Sequence, residues 1–103
     1  MNTDTIVAIA TPPGQGAIGI VRLSGPASRD IARSLFHSSR PGFTAFKPYR
    51  LHHGLLRDGH GAFLDDALTA WMPGPNSFTG EDVVELHCHG GGAILRRVVE
   101  ECL

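Results

Sequence analysis

The sequence has 103 residues, enough for one domain (residues 1–103) with a modest core and much wet surface. A net charge of −1 with 18% charged residues argues against a dedicated nucleic-acid module, which would carry a basic patch. Two cysteines, no secretory-type leader and no apolar run of membrane-spanning length point to a reducing, cytoplasmic setting with Cys88 and Cys102 unbridged.

Thr5 to Ala10 (TIVAIA) is a short apolar, β-branched run and reads as a buried strand. Thr11 to Gly16 (TPPGQG) punctuates it. Ala17 to Ser24 (AIGIVRLS) is a second strand, with Ile18, Ile20, Arg22 and Ser24 on one face. Ser24-Gly25-Pro26 opens a helix whose apolar positions Ala27, Ile31 and Leu35 recur through Phe36. Ser38 to Thr44 reads as a loop. Lys47 to Arg57 and Leu64 to Met72 form a hairpin around Asp58-Gly59-His60-Gly61. After a Pro/Gly/Asn loop from Pro73 to Gly80, Asp82 to His89 is a fifth strand. Gly90-Gly91-Gly92 then leads into a helix striped by Ile94, Leu95, Val98, Val99 and Cys102, with Arg96 and Glu100 spaced for a surface pair. The order ββαβββα does not alternate regularly. It predicts an α+β domain, a mixed sheet with two helices mainly on one face and the other face open to a partner or ligand.

Five groups of residues are candidates for chemistry. Gly14 to Gly19 (GQGAIG) matches a dinucleotide fingerprint, but Ile18, Ile20 and Val21 continue as strand, so a glycine-rich hairpin is the plainer reading. On the fifth strand, Val84, Leu86 and Cys88 form a core face, and Val83, Glu85, His87 and His89 the other. A carboxylate at Glu85 can accept two parallel N–H bonds, from an arginine or from the amidine-like edge of a heterocycle. Arg22, isolated among Ile, Val and Leu, also needs a partner, either Glu85 or a ligand's carboxylate. Periodicity leaves both possibilities open. A metal site at His87, Cys88 and His89 with His52 and His53 is disfavoured, because alternation parts the neighbours and no C-x-x-C or H-E-x-x-H spacing occurs. The glycine triplet before the last helix could hold an anion or serve only as a flexible entry.

The stretches TDTIVAIATPPGQGAIGIVRLSGP and PGPNSFTGEDVVELHCHGG resemble the N-terminal domain of the tRNA modification GTPase family MnmE, also called TrmE. The two motifs stand in the family's order and cover some two-fifths of the chain. The resemblance implies the folate-binding fold of the aminomethyltransferase group, present as one half-unit that pairs with its copy in a homodimer. It implies binding of 5-formyl-tetrahydrofolate or a related tetrahydrofolate, the one-carbon donor for the wobble uridine U34. Carried over residue by residue, the folate-binding positions are Arg22 and Glu85. For the full-length protein it implies GTP hydrolysis with Mg2+ and K+, a cytoplasmic location, tRNA as substrate and the FAD-dependent MnmG as partner. The family's later folate-contacting lysine, its helical and GTPase domains and its C-terminal cysteine motif have no counterpart in these 103 residues. No catalytic residue or metal ligand is therefore expected here, and this piece alone is expected to hydrolyse no GTP. Two other expectations stand beside this one: a dimerisation scaffold without ligand, and a fragment of an aminomethyltransferase-like one-carbon enzyme.

Overall fold

A computed structural model of the chain describes residues 4–10, 18–75 and 80–103. Eight elements follow in order: β1 (Ile6–Ile9), β2 (Gly19–Ser24), α1 (Ser28–Leu35), β3 (Phe36–Ser38), β4 (Leu51–Arg57), β5 (Phe63–Met72), β6 (Val83–Cys88) and α2 (Gly92–Cys102). The strands form one six-stranded sheet in the order β1-β2-β6-β5-β4-β3. The α+β class expected from the sequence holds. The sheet is antiparallel in every ladder rather than mixed, and its parallel component is the isolated bridge between Pro48 and Trp71.

Period-two alternation explains which face of the sheet is closed. Val21 and Leu23 of β2, Val84, Leu86 and Cys88 of β6, Ala67 of β5 and Leu56 of β4 are fully buried. They pack against Ala32 and Leu35 of α1 and Leu95, Val98 and Cys102 of α2. The two helices touch each other, so both lie on this face. Each fully buried leucine or valine contributes roughly 1.5–3 kcal/mol, which makes this layer the main source of stability.

Helix α1 is turned slightly from its predicted stripe. Ser28, Ala32 and Leu35 are buried, while Ile31 is half-buried. Ser28 enters the core because its hydroxyl donates to the Asp82 carbonyl at 3.2 Å, which satisfies an otherwise costly polar group. The helix ends one residue early. Phe36 is already extended (φ −89°, ψ 131°) and opens β3, where a helix end and a loop were expected. The reason is tertiary: the Phe36 ring packs with Phe43 at 5.5 Å and Phe46 at 5.2 Å, centroid to centroid, and pins the loop of residues 39–50.

Strand β4 starts four residues later than predicted. Tyr49 takes a left-handed backbone (φ 59°), which breaks any ladder through Lys47–Arg50. In α2 the predicted stripe faces the core, but the ion pair on its surface is Arg97–Glu101 at 3.3 Å rather than Arg96–Glu100. Arg97 also reaches Asp58 at 3.1 Å and ties α2 to the β4–β5 turn. Among the described residues no helix is long and apolar enough to cross a membrane.

Candidate functional site

The sheet face away from α1 and α2 carries the predicted site residues. Arg22 on β2 and Glu85 on β6 are direct cross-strand partners, and Ala70 of β5 lies opposite Glu85 on its other side. Their side chains meet. Arg22 Nε and Nη2 donate to Glu85 Oε2 at 2.9 and 2.6 Å. His87 Nε2 lies 3.1 Å from Glu85 Oε1. Both of these bonds to Glu85 end on one carboxylate oxygen, so the pair is not a parallel fork, and His87 meets the second oxygen. A carboxylate has about four lone-pair sites, so Glu85 can accept further donors from a ligand if His87 shares Oε1.

Glu85 is half-buried, with its side chain 17% exposed against 30% for Arg22. Burial pushes its carboxyl up. The hydrogen bonds from Arg22 and His87 outweigh that effect and hold it below the ordinary carboxylate value. The group is therefore an ionised acceptor at neutral pH. Of the two possibilities that periodicity left open for Arg22, the internal salt bridge is formed. It does not remove the ligand possibility, because the pair lies on the sheet face opposite α1 and α2, and among the described residues no helix covers it.

The i+2 spacing that puts His87 on Glu85's face of the strand is the sequence signal for this contact, which the sequence alone does not turn into a site role. Asp65 was missed entirely. Nearly buried on β5, it accepts from the backbone N–H of His89 at 2.7 Å and of Gly90 at 2.9 Å through Oδ2. Its Oδ1 accepts from Asp66 N at 2.9 Å. The approach to the glycine triplet is thus already held by a carboxylate of the chain itself. Glu81 was missed too: it accepts from Ser24 Oγ at 3.3 Å, two residues along β2 from Arg22.

The residues of the metal reading are dispersed. His87 faces Glu85, Cys88 is buried under the helices, and His89 Nδ1 lies 2.9 Å from the Asp66 carbonyl. Burial pushes the Cys88 thiol up to about 12 and the Cys102 thiol up to about 11, so neither supplies a thiolate near neutrality. Both cysteines are free. Of the GQGAIG run, residues 14–17 lie outside the described residues, as do residues 76–79 of the loop before β6. Gly19, the last glycine of that run, opens a strand and not a helix.

A family model for the GTP-binding protein TrmE N-terminus matches residues 5–103. The chain is 57% identical over 100 residues to the tRNA modification GTPase MnmE of Nitratidesulfovibrio vulgaris (strain DP4), covering 97% of this chain and 22% of that protein. It is 57% identical over 100 residues to the MnmE of Lawsonia intracellularis (strain PHE/MN1-00), with the same coverage of both chains. To the MnmE of Roseiflexus castenholzii (strain DSM 13941 / HLO8) it is 50% identical over 103 residues, covering 100% of this chain and 22% of the relative. The chain therefore spans about a fifth of the length of the curated relatives it matches.

Proposed function

The chain belongs to the TrmE N-terminal family, and on that premise we propose that it is the folate-binding and self-pairing domain of a cytoplasmic tRNA-modifying GTPase. The observation that carries this reading is Glu85, an ionised acceptor facing Arg22 on the side of the sheet opposite α1 and α2. The bicycle of a tetrahydrofolate presents a 2-amino group and an adjacent ring N–H side by side. Glu85 accepts both, with charge-assisted bonds roughly twice as strong as neutral ones. Arg22 holds the carboxylate in place and keeps it ionised. His87 yields or shares Oε1 as the ligand arrives.

In this reading the folate supplies the one-carbon unit for C5 of the wobble uridine. GTP hydrolysis, with its Mg2+ and K+, and contact with tRNA and MnmG belong to the full-length protein. The chain as given therefore hydrolyses no GTP.

Calorimetric titration with 5-formyl-tetrahydrofolate tests the proposal. Saturable binding is expected, weakened by about 1.5–3 kcal/mol in Glu85→Ala, the worth of a hydrogen bond to a charged group. Unchanged affinity in a folded Glu85→Ala variant removes Glu85 from the site. The set that Arg22, Glu85 and His87 already form among themselves favours a second reading, a scaffold whose polar residues only lock the sheet. Absence of any heat at millimolar ligand selects that scaffold.

A further inference from the structure

The chemistry of the sheet face away from α1 and α2 changes steadily from β6 to β4. In one row of the sheet Glu85 lies opposite Ala70, and Ala70 opposite Leu51. In the next row His87 lies opposite Leu68, and Leu68 opposite His53. Two strand spacings separate Glu85 from Leu51, roughly 10 Å. The intervening floor is apolar, and Ala70 makes it shallow.

Beyond that floor the charge turns positive. Leu51, His53 and Leu68 also line a cleft of about 440 Å3 under the loop of residues 39–50. Its other walls include Arg40, Lys47 and Arg50, and no lining residue is acidic. These three cations are exposed, and among the described residues none of their side chains has an ion-pair partner. One carboxylate touches the lining: Asp66 Oδ1 lies 2.5 Å from His53 Nε2. On a chain of net charge −1, this is a local concentration of unneutralised positive charge.

We infer that this cleft binds the anionic end of the ligand whose heterocycle docks at Glu85: the glutamate tail of a folate, and preferentially an oligo-γ-glutamate tail. The inference rests on the folate reading of Glu85 and Arg22. Three zones match three parts of one molecule. The acceptor at Glu85 takes the hydrogen-bond donors of the bicycle. Leu68, Ala70 and Leu51 lie under the aromatic spacer. Arg40, Lys47 and Arg50 meet carboxylates, which arginine binds through paired N–H donors. The concave shape and the volume suit a small ligand's end, whereas a nucleic-acid backbone is met by an extended basic stripe.

The experiment compares three probes by calorimetry on this chain: 5-formyl-tetrahydropteroate, which has no glutamate, and 5-formyl-tetrahydrofolate with one or with five γ-linked glutamates. Affinity is expected to rise about tenfold or more from the tail-less to the pentaglutamate ligand, with the gain shrinking at high salt. Arg40→Gln/Arg50→Gln should erase the gain and leave the tail-less ligand unaffected, while Arg40→Lys/Arg50→Lys should retain part of it. Equal affinity for all three ligands, or a gain that survives the Gln pair, overturns the inference and leaves the folate reading standing. Loss of the gain to millimolar inorganic phosphate supports an oxyanion site in the cleft. A gain that phosphate leaves intact argues against it. If none of the probes binds the parent chain, the folate reading itself fails and takes the tail site with it.

Discussion

Glu85 is pulled in two directions. Burial favours its neutral form, and the hydrogen bonds from Arg22 and His87 favour the charged one more strongly. A carboxyl held below its unfolded value of 4.5 binds fewer protons in the native state than in the unfolded chain. Its contribution to stability is therefore present above the unfolded value and is lost as pH falls through the folded one. Asp58 behaves in the same sense: the Ala62 N–H is the first cause of its lowered value, burial opposes it, and the His60 N–H and Arg97 help. The parent chain alone consequently does not isolate Glu85. The diagnostic quantity is the difference between parent and Glu85→Gln in melting temperature from about pH 5 down to about pH 3. The parent should lose stability more steeply than the variant over that range. Parallel curves would show that the Arg22–Glu85 pair contributes nothing to the folded state, as many exposed ion pairs do not.

At the scale of the element, β6 was the most legible part of the sequence and β3 the least. Alternation over Val84–Cys88 foretells that Val84, Leu86 and Cys88 are buried and that Glu85 and His87 share the other face, while Val83, expected on that second face, is itself fully buried. Arg22 stood out because a lone cation in an apolar strand demands a partner. Its register opposite Glu85 was not legible, because pairing between strands sixty residues apart is decided by the whole sheet. The edge strand β3 left no signal of its own. Three residues, Phe36-His37-Ser38, carry no period, and their conformation is imposed by β4 and by the phenylalanine cluster. Asp65 was invisible for a similar reason: its partners are backbone groups of β6's end and the following turn. Gly54 makes the β3–β4 contact possible. A Cβ there would strike the His37 carbonyl oxygen and lie 2.7 Å from the Phe36 ring. Gly54→Ala should therefore cost about 1–3 kcal/mol, the usual penalty for overpacking, measured by urea denaturation. A neutral outcome would mean that β3 moves aside freely and does not help to hold the loop that carries Arg40, Lys47 and Arg50.

For the molecule as a whole, the asymmetry of the sheet is the dominant fact. One face is closed by both helices, and the other exposes Ile18 (45%), Leu51 (58%) and Ile6 (56%) around the half-buried Arg22–Glu85 pair. Singly exposed apolar residues are ordinary, but here they lie on the same face as the candidate site, and the self-pairing reading gives them a cover. The chain should then sediment at twice its 11.0 kDa at micromolar concentration, with a melting temperature that rises with protein concentration. Ile6 is already exposed, so Ile6→Glu should weaken pairing without lowering the stability of the single chain. One species of 11.0 kDa at every concentration would end the self-pairing reading. Ligand linkage then separates two pocket architectures. If both copies line the folate pocket, ligand binds the paired state more tightly and must raise the paired fraction by mass action. If one chain holds the whole ligand, from Glu85 to the cationic cleft, saturating folate leaves the association constant unchanged. Sedimentation of the parent chain with and without 5-formyl-tetrahydrofolate distinguishes the two, because a shift in association requires that the partner copy touch the ligand or the residues that hold it.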